Sequence, residues 1–310
     1  GFDAIDIRVM NTKREEETTS ELIAKNLPDY EPDLILGPIY NGPAKMVVEY
    51  ANREAIPHFI PFSPRYRLVE NSEWSFLATS GINTQMAYLA SFVTDTIRAN
   101  SVMVATDGSS VAKFLSSAFI QELRKQSGVI NIQEKFVPDV YKVDNFHLSL
   151  KQSPPDVLYM PMVKQDVVNY FLTKMFTDSI GIQVIGTQDW PGYQRLEKDL
   201  LSNFKVMWPA AQFEQNDSIA YERFHEDYLR TYNAFPGEHA MKGYDLMRFI
   251  LNTYGVYAKP TTVPDAVHKA GRWKGLLQDY NYGDRQDNRA MLMLQMINNQ
   301  VVPWQTHIGR

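Results

Sequence analysis

The 310-residue sequence contains no cysteine. Disulfide bonds, thiolate metal sites and cysteine nucleophiles are therefore excluded, while the redox compartment stays open. No apolar run approaches the ~18 residues that would suggest a membrane span. Lysine and arginine number 31 against 36 aspartates and glutamates, and the basic residues are scattered rather than clustered. This charge balance argues against nucleic acid or an anionic membrane as the main partner.

Motifs for nucleotide, nucleophilic and metal chemistry are also missing. The sequence has neither G-x-G-x-x-G nor G-x-x-x-x-G-K-[ST], the two patterns that cradle phosphates. It has no G-x-S-x-G nucleophile elbow. None of its six histidines shows the H-x-x-x-H spacing of a zinc site. We therefore expect no enzymatic activity, no cofactor and no bound metal.

What the sequence does contain is a regular alternation of short apolar runs and amphipathic stretches. Hydrophobic residues make up 44% and charged residues 22%, as in ordinary globular proteins. The pattern predicts strands at residues 4–9, 33–36, 56–63, 102–106, 129–132, 156–160, 183–186 and 205–208. It predicts helices at residues 12–28, 43–55, 83–99, 110–126, 146–151, 165–177, 218–232 and 238–254. Such alternation predicts an α/β protein with parallel sheets flanked by helices.

The length predicts about two domains at roughly 150 residues each. No Gly/Ser-rich linker separates two halves of the sequence. We therefore expect two lobes joined by several short crossings rather than two successive domains.

Four sequence strings, in this order, resemble the type I periplasmic-binding-protein fold. This is the fold of leucine/isoleucine/valine-type substrate-binding proteins and of receptor-family ligand-binding regions. The strings are DLILGP at 33–38, IPHFIPFS at 56–63, PPDVLYM at 154–160 and FPGEHAMKGYD at 235–245. They extend over most of the chain, and their order and spacing carry the resemblance more than any one of them does.

The resemblance implies a division into two interleaved lobes. Lobe one is expected at residues 1–98 and 213–282, and lobe two at 99–212 and 283–310. The family begins with a strand and a helix that precede the element starting here at Ala4, and this sequence has no counterpart of them. No signal peptide is visible either, from which little follows because a lone leading glycine is typical of a trimmed start.

The resemblance also implies a ligand site in an interlobe cleft, at the carboxyl ends of the strands. The matching lobe-one positions are Tyr40, Asn41, Ser63, Thr79 and Ser80. The matching lobe-two positions are Asp107, Ser109, Tyr159, Gln188, Asp189 and Trp190.

Several of these positions also have a purely structural interpretation. Tyr40 and Trp190 are compatible with packing aromatics at strand ends, and Asp189 with a helix cap. Ser63 and Thr79 are compatible with turn residues that bond the local backbone. The turn at 107–110 is compatible with a plain helix cap or with an anion contact at a helix start. Both interpretations stay open from the sequence.

The leading functional expectation is non-enzymatic binding of a small polar ligand, amino-acid-like or peptide-like, by a substrate-binding or sensing protein of the bacterial periplasm or cell envelope. The alternative is an envelope interaction protein that uses the same fold as a scaffold for peptidoglycan or cell-wall enzymes, as in proteins with LysM repeats. An enzyme or the effector domain of a transcription regulator has no support from any motif. The fold alone does not choose among these classes.

Overall fold

The computed structural model describes residues 5–126, 130–214, 218–257 and 263–305, with side chains not described at 255–257. The chain forms two compact units. Unit 1 comprises Gly1–Thr84 and Ala211–Ala290, and unit 2 comprises Gln85–Ala210 and Met291–Arg310. The chain passes from unit 1 to unit 2 between Thr84 and Gln85, within the helix Ile82–Ser91. The later part of this helix is bonded within unit 2, where the Gln126 side-chain amide donates to the Ala87 carbonyl oxygen over 3.1 Å.

Helices and strands alternate along the described residues. The α-helices are α1 Glu16–Tyr30, α2 Asn41–Glu54, α3 Ile82–Ser91, α4 Ser110–Gln126, α5 Val143–Gln152, α6 Gln165–Thr177, α7 Lys198–Asn203, α8 Ile219–Tyr232, α9 Glu238–Tyr257 and α10 Val263–Lys269. The strands are β1 Ile35–Leu36, β2 His58–Ile60, β3 Ser75–Leu77, β4 Ser101–Thr106, β5 Asn131–Phe136, β6 Val157–Tyr159, β7 Gln183–Ile185, β8 Met207–Ala210, β9 Leu292–Ile297 and β10 Gln300–Pro303. None of the helices described is both long and apolar enough to cross a membrane.

Unit 1 contains a three-stranded parallel sheet in the order β1-β2-β3. The strands β2 and β3 are buried throughout, and their two polar residues, His58 and Ser75, are hydrogen-bonded to each other. Phe59 and Phe76 lie opposite each other in the ladder, and their rings stack with centroids 5.2 Å apart. Phe249 and Tyr282 from the later segment of unit 1 pack on this pair and close the core.

The strand predicted at residues 4–9 is not formed. Ala4 lies outside the described residues, and residues 5–9 have no regular secondary structure. Their apolar side chains are exposed, Ile7 by 72% and Val9 by 93%. An alternating sequence becomes a strand only when a neighbouring strand supplies hydrogen bonds, and in the described chain β1 pairs with β2 alone.

The helix that follows also differs from its predicted bounds. Pro28 was expected to end the helix, but α1 continues to Tyr30. Because proline lies in the last turn, it removes one intrahelical hydrogen bond without breaking the earlier turns. Glu31 then ends the helix in the left-handed conformation and donates its N–H to the Leu27 carbonyl oxygen.

Unit 2 contains a seven-stranded sheet in the order β10-β9-β8-β7-β6-β4-β5. The strands from β5 to β8 are mutually parallel, as the alternation predicts. The strand β9 is antiparallel to β8, and β10 is antiparallel to β9. The final hairpin was not predicted from the sequence. It completes the sheet with residues from the end of the described chain.

Candidate functional site

Three segments of unit 1 follow the carboxyl ends of its parallel strands, which all lie at the same end of the sheet. They follow β1, β2 and β3 and carry the predicted residues Tyr40, Asn41, Ser63 and Thr79. We call these four residues the unit 1 rim. The Ser63 hydroxyl donates to Asn41 Oδ1 over 2.8 Å, which ties the segment after β1 to the segment after β2.

Tyr40 and Asn41 lie where α2 begins. Tyr40 is the N-cap residue, makes no side-chain cap bond and is exposed. The Arg14 guanidinium lies 4.8 Å from the centre of the Tyr40 ring. The carboxylate of Glu16 packs against Gly42 in the first turn of α2, so closely that a Cβ there would collide with it. The amino-terminal end of α2 favours a negative charge, and the Glu16 carboxylate lies there.

The segment after β3 is less accessible. Thr79 is half-buried, and Ser80 is fully buried. The Ala78 carbonyl oxygen accepts hydrogen bonds from the side-chain amides of Gln278 and Asn288, which brace this strand end. A ligand contact of Thr79 or Ser80 therefore stays a prediction, and for Ser80 it requires the side chain to become accessible.

Three further residues meet at the rim that sequence reasoning missed. The Phe62 ring lies 4.8 Å from the His239 ring, centroid to centroid. Lys242 Nζ lies 5.3 Å from the centre of the same Phe62 ring and 2.6 Å from Glu238 Oε1. This hydrogen bond from Lys242, with a second from Gln212, lowers the pKa of the Glu238 carboxyl. Phe62, which follows β2, thus contacts a histidine and an ion-paired lysine of α9.

Beside the rim, unit 1 has an open cavity of about 680 Å³ that runs along β1. We call it the β1 trough. Its lining is mostly apolar and comes from α1 and the segment before it, from β1 and the loop after it, and from parts of α2, α9 and the segment after β2. The lining includes Leu22, Leu27, Leu34, Leu36, Ile39 and Val47. Leu36 and Ile39 are each 48% exposed. No pattern in the sequence predicts this cavity.

In unit 2 the predicted acid Asp107 is a structural anchor. Its side chain is buried and accepts hydrogen bonds from the backbone N–H groups of Ser109, Val163 and Lys164 over 3.0, 2.8 and 2.9 Å. Burial alone would raise the pKa of this carboxyl, but the hydrogen bonds outweigh burial and hold the pKa below its ordinary value. The Ser109 hydroxyl accepts from the Ala112 N–H and so caps the start of α4.

The two predicted aromatics of unit 2 are core residues in this structure. Trp190 is fully buried, and its indole N–H donates to the Met162 carbonyl oxygen over 3.0 Å. The indole lies on Gly186, where a Cβ would collide with the ring. Tyr159 is buried as well and donates its hydroxyl to the sulfur of Met86 over 3.5 Å. A ligand role for either residue stays a prediction and requires its side chain to move.

The segment after β7 keeps its other predicted residues, Gln188 and Asp189, exposed. Asp189 makes no side-chain cap bond, although it precedes the short helical turn Trp190–Gly192. Sequence reasoning missed Tyr193, which is half-buried in this segment. Burial first, and then the Asp189 carboxylate, raise the pKa of the Tyr193 hydroxyl. This end of unit 2 therefore presents negative charge.

The predicted residues are thus brought together within each unit to different degrees. Tyr40, Asn41 and Ser63 form one connected surface in unit 1. In unit 2 the predicted residues fall into a saturated anchor and an exposed acidic segment. In the part of the chain that the structure describes, no group of three or more histidine, aspartate or glutamate side chains is arranged to hold a metal ion.

Comparisons with solved structures find the same fold repeatedly. A putative branched-chain amino acid ABC transporter protein from Rhodospirillum rubrum matches with a TM-score of 0.78 and 16% identity, over 97% of this chain and 88% of that chain. An ABC transporter substrate-binding protein from Desulfitobacterium hafniense, in complex with Leu, matches with a TM-score of 0.65 and 14% identity, over 95% and 87%. A solute-binding protein from R. palustris, in complex with benzoate, matches with a TM-score of 0.54 and 14% identity, over 95% and 82%.

These matches confirm the predicted fold class, the type I periplasmic-binding-protein fold. Among curated proteins, none matches the sequence. The family model described as "Periplasmic binding protein" matches residues 4–300. The chain belongs to the periplasmic binding protein family.

Proposed function

We propose that the protein binds a small carboxylate-bearing ligand with an apolar body, amino-acid-like in the first instance, and releases it unchanged. The observation that carries this proposal is the unit 1 rim, where the Ser63–Asn41 hydrogen bond joins the segment after β2 to the start of α2. Phe62, the neighbour of Ser63, lies beside the Lys242 ammonium. Similar proteins with a named bound molecule hold Leu, isoleucine, benzoate or p-hydroxybenzoic acid. Each of these molecules combines a carboxylate with an apolar group.

The rim supplies a partner for each part of such a ligand. The side-chain amide of Asn41, at the positive end of a 14-residue helix, suits the carboxylate, with the Glu16 carboxylate already packed against Gly42 in the same turn. The rings of Tyr40 and Phe62 suit the apolar body. Family membership supports binding without chemistry, because the matched family is one of binding proteins.

The contribution of unit 2 is the less supported part of the proposal. The exposed carboxylate of Asp189 suits the ammonium group of an amino acid. Asp107 acts by holding the segment at residues 163–164 rather than by touching the ligand, since its oxygens already accept three N–H groups. That both units contribute to one interlobe site stays a prediction.

We further propose that the protein works in the periplasm as the substrate-binding component of an ABC transporter, in line with its family and structural neighbours. The alternative expectation of a cell-wall scaffold, associated with peptidoglycan or LysM repeats, has no observation in its favour. Binding of a carboxylate in the titration described next would count against this alternative, and absence of binding would favour it.

The test is calorimetric titration of the protein with L-leucine, L-isoleucine and benzoate. The key variant is Asn41→Asp, which keeps an oxygen for the Ser63 hydroxyl but puts a negative charge beside the ligand carboxylate. It should weaken carboxylate binding by about tenfold or more. Asn131→Ala, an exposed substitution in unit 2, is the control that should bind as the parent does.

Leucinamide separates charge from shape in the same experiment. Because it lacks the carboxylate, its affinity should be low for the parent and unaffected by Asn41→Asp. If no carboxylate binds the parent, or if Asn41→Asp binds leucine as tightly as the parent, the rim is not the ligand site.

A further inference from the structure

The segment after β3 is bonded to one buried carboxylate, that of Asp287. Its Oδ2 accepts hydrogen bonds from the Gly81 N–H over 2.9 Å and from the Thr84 hydroxyl over 2.5 Å. Its Oδ1 accepts the Arg285 guanidinium N–H over 2.8 Å. The side chain of Asp287 is fully buried, so these three donors replace the water that an exposed carboxylate would bind. We call this cluster of four residues the Asp287 brace.

The backbone at Gly81 is shaped for this cluster. A Cβ at this position would lie 2.8 Å from Asp287 Oδ2 and 3.3 Å from the Cβ of Tyr66. The absence of a side chain therefore allows the Gly81 N–H to approach the carboxylate closely. The same tyrosine packs on the other donor, since the Arg285 guanidinium lies 4.3 Å from the centre of the Tyr66 ring. The brace is thus part of the packed structure of unit 1.

Two hydrogen bonds from neighbouring residues extend the brace to the end of β3. The Leu77 N–H donates to the Gln286 carbonyl oxygen over 2.7 Å. The side-chain amide of Asn288 donates to the Ala78 carbonyl oxygen over 3.3 Å. The backbone is therefore fixed before Thr79 by these two bonds and after Thr79 by the brace.

We propose that Asp287 is a positioning residue of the ligand site, which sets the backbone of residues 79–84 and thereby holds the Thr79 hydroxyl at the rim as a ligand contact. This inference rests on the proposed function, because it assigns Thr79 as a third polar contact beside Asn41 and Ser63. Asp287 does not touch the ligand, since its side chain is buried and both of its oxygens are bonded within the protein. Loss of the brace should therefore weaken binding through Thr79.

The test is a double-substitution cycle, measured by calorimetric titration with L-leucine. Thr84→Val keeps nearly the shape of threonine but cannot donate to Asp287, so it should weaken leucine binding about threefold to fivefold. Thr79→Val removes the proposed contact itself and should weaken binding about tenfold. Because the brace acts through Thr79, the double variant should bind no more weakly than Thr79→Val alone.

Two control variants separate positioning from stability. Thr84→Ser keeps the hydroxyl that donates to Asp287 and should retain the parental affinity for leucine. Asp156→Asn changes a carboxylate of unit 2 that also accepts from a backbone N–H and a hydroxyl, both of Ser101. It should lower stability without changing the affinity. Urea unfolding establishes that each variant is folded under the conditions of the titration.

Amide hydrogen exchange tests the brace without a ligand. Loss of the Thr84 bond should loosen the carboxylate, so the Gly81 N–H should exchange about threefold faster or more in Thr84→Val than in the parent. The Leu158 N–H, in the middle of the unit 2 sheet, should exchange equally in both proteins.

Three results would overturn the proposal. Parental leucine affinity in Thr79→Val or in Thr84→Val would show that the segment after β3 is not part of the ligand site. Multiplication of the two single effects in the double variant would show that the brace does not act through Thr79. Absence of binding of leucine, isoleucine and benzoate to the parent would defeat the proposed function together with this inference, whereas the first two results leave the proposed function standing.

Discussion

The sheets of the two units are built to different degrees of completion. Among the described residues, unit 1 has three strands of two or three residues, and β1 pairs with β2 alone. Unit 2 has seven strands of three to six residues, and five of them, all but the edge strands β5 and β10, are paired on both sides. In the described chain, unit 2 thus has the larger sheet, with five interior strands, whereas the sheet of unit 1 has one, β2.

The polar side chains near the strand ends also differ between the two units in their burial and hydrogen bonding. In unit 2 the Asp107 carboxylate and the Trp190 N–H are both used for hydrogen bonds within the protein. In unit 1 Tyr40 is exposed, Arg14 makes no ion pair within the described chain, and the trough is open. The comparison teaches that position at a strand end does not make a residue available. A side chain can contact a ligand only if it is exposed and its hydrogen-bonding groups are not already bonded to neighbouring backbone groups.

The largest expected effect is that of Trp190→Ala on unit 2. Because the indole is fully buried and hydrogen-bonded, its removal should lower the free energy of unfolding by about 3–5 kcal/mol. Tyr141→Ala, at a position 86% exposed in the same unit, should change it by about 0.5 kcal/mol or less. Urea unfolding measures both. A Trp190→Ala protein of parental stability that no longer binds leucine would make the indole a ligand contact instead.

The next effect concerns a buried histidine in unit 1. His58 Nε2 lies 2.7 Å from the Gly37 carbonyl oxygen and Nδ1 lies 3.0 Å from the Ser75 hydroxyl. A carbonyl only accepts, so Nε2 carries the proton and Nδ1 accepts from Ser75. Burial lowers the pKa of His58 to about 4, against the opposing effect of the Gly37 hydrogen bond.

This pKa predicts acid sensitivity. Below pH 6.5 the unfolded chain binds a proton at His58 that the folded protein does not. The free energy of unfolding should therefore decrease as the pH is lowered from 6.5 to about 4. The loss due to His58 should reach roughly 3 kcal/mol. Urea unfolding at pH 7, 5.5 and 4 measures it, with His58→Gln as the comparison because glutamine does not titrate. Parallel pH profiles for the two proteins would contradict the assignment.

A smaller effect is expected for Asp107→Asn. The substitution keeps the size of the side chain but turns an amide group toward backbone N–H donors, so we expect a loss of about 1–3 kcal/mol in the free energy of unfolding. The depressed pKa means that the carboxylate stabilises the folded protein above its unfolded pKa and loses this effect as pH falls through the folded pKa. The stability difference between parent and variant should therefore shrink in acid. A constant difference from pH 7 to pH 3 would show that ionisation of Asp107 is not what stabilises the segment.

Most helices of the fold were predictable from the sequence because their apolar periodicity is local. The bounds predicted for α4 and α6 are those observed. The strand at residues 4–9 was predicted wrongly because alternation describes one strand and says nothing about its neighbour. The strand β3 was missed because three buried residues carry no period.

The site was less predictable than the fold. The rim residues Tyr40, Asn41 and Ser63 lie close together along the chain. The strings at 33–38 and 56–63, which resemble the family's, mark the strands that they follow. His239 and Lys242 reach the rim from a segment far along the chain, so no spacing pattern connects them to Phe62. The direction in which Trp190 points depends on the backbone of Gly186, which the sequence alone does not reveal.

Amide hydrogen exchange at three residues tests the central contrast most directly. The Leu36 N–H faces away from β2, the Gly37 N–H donates to Phe59, and Leu158 lies in β6 between two paired strands. After correction for intrinsic rates, Leu36 should exchange about tenfold faster than Gly37 or more, and Leu158 should be the most protected. Protection of Leu36 equal to that of Leu158, in monomeric protein, would contradict the pairing of β1 with β2 alone in the described chain.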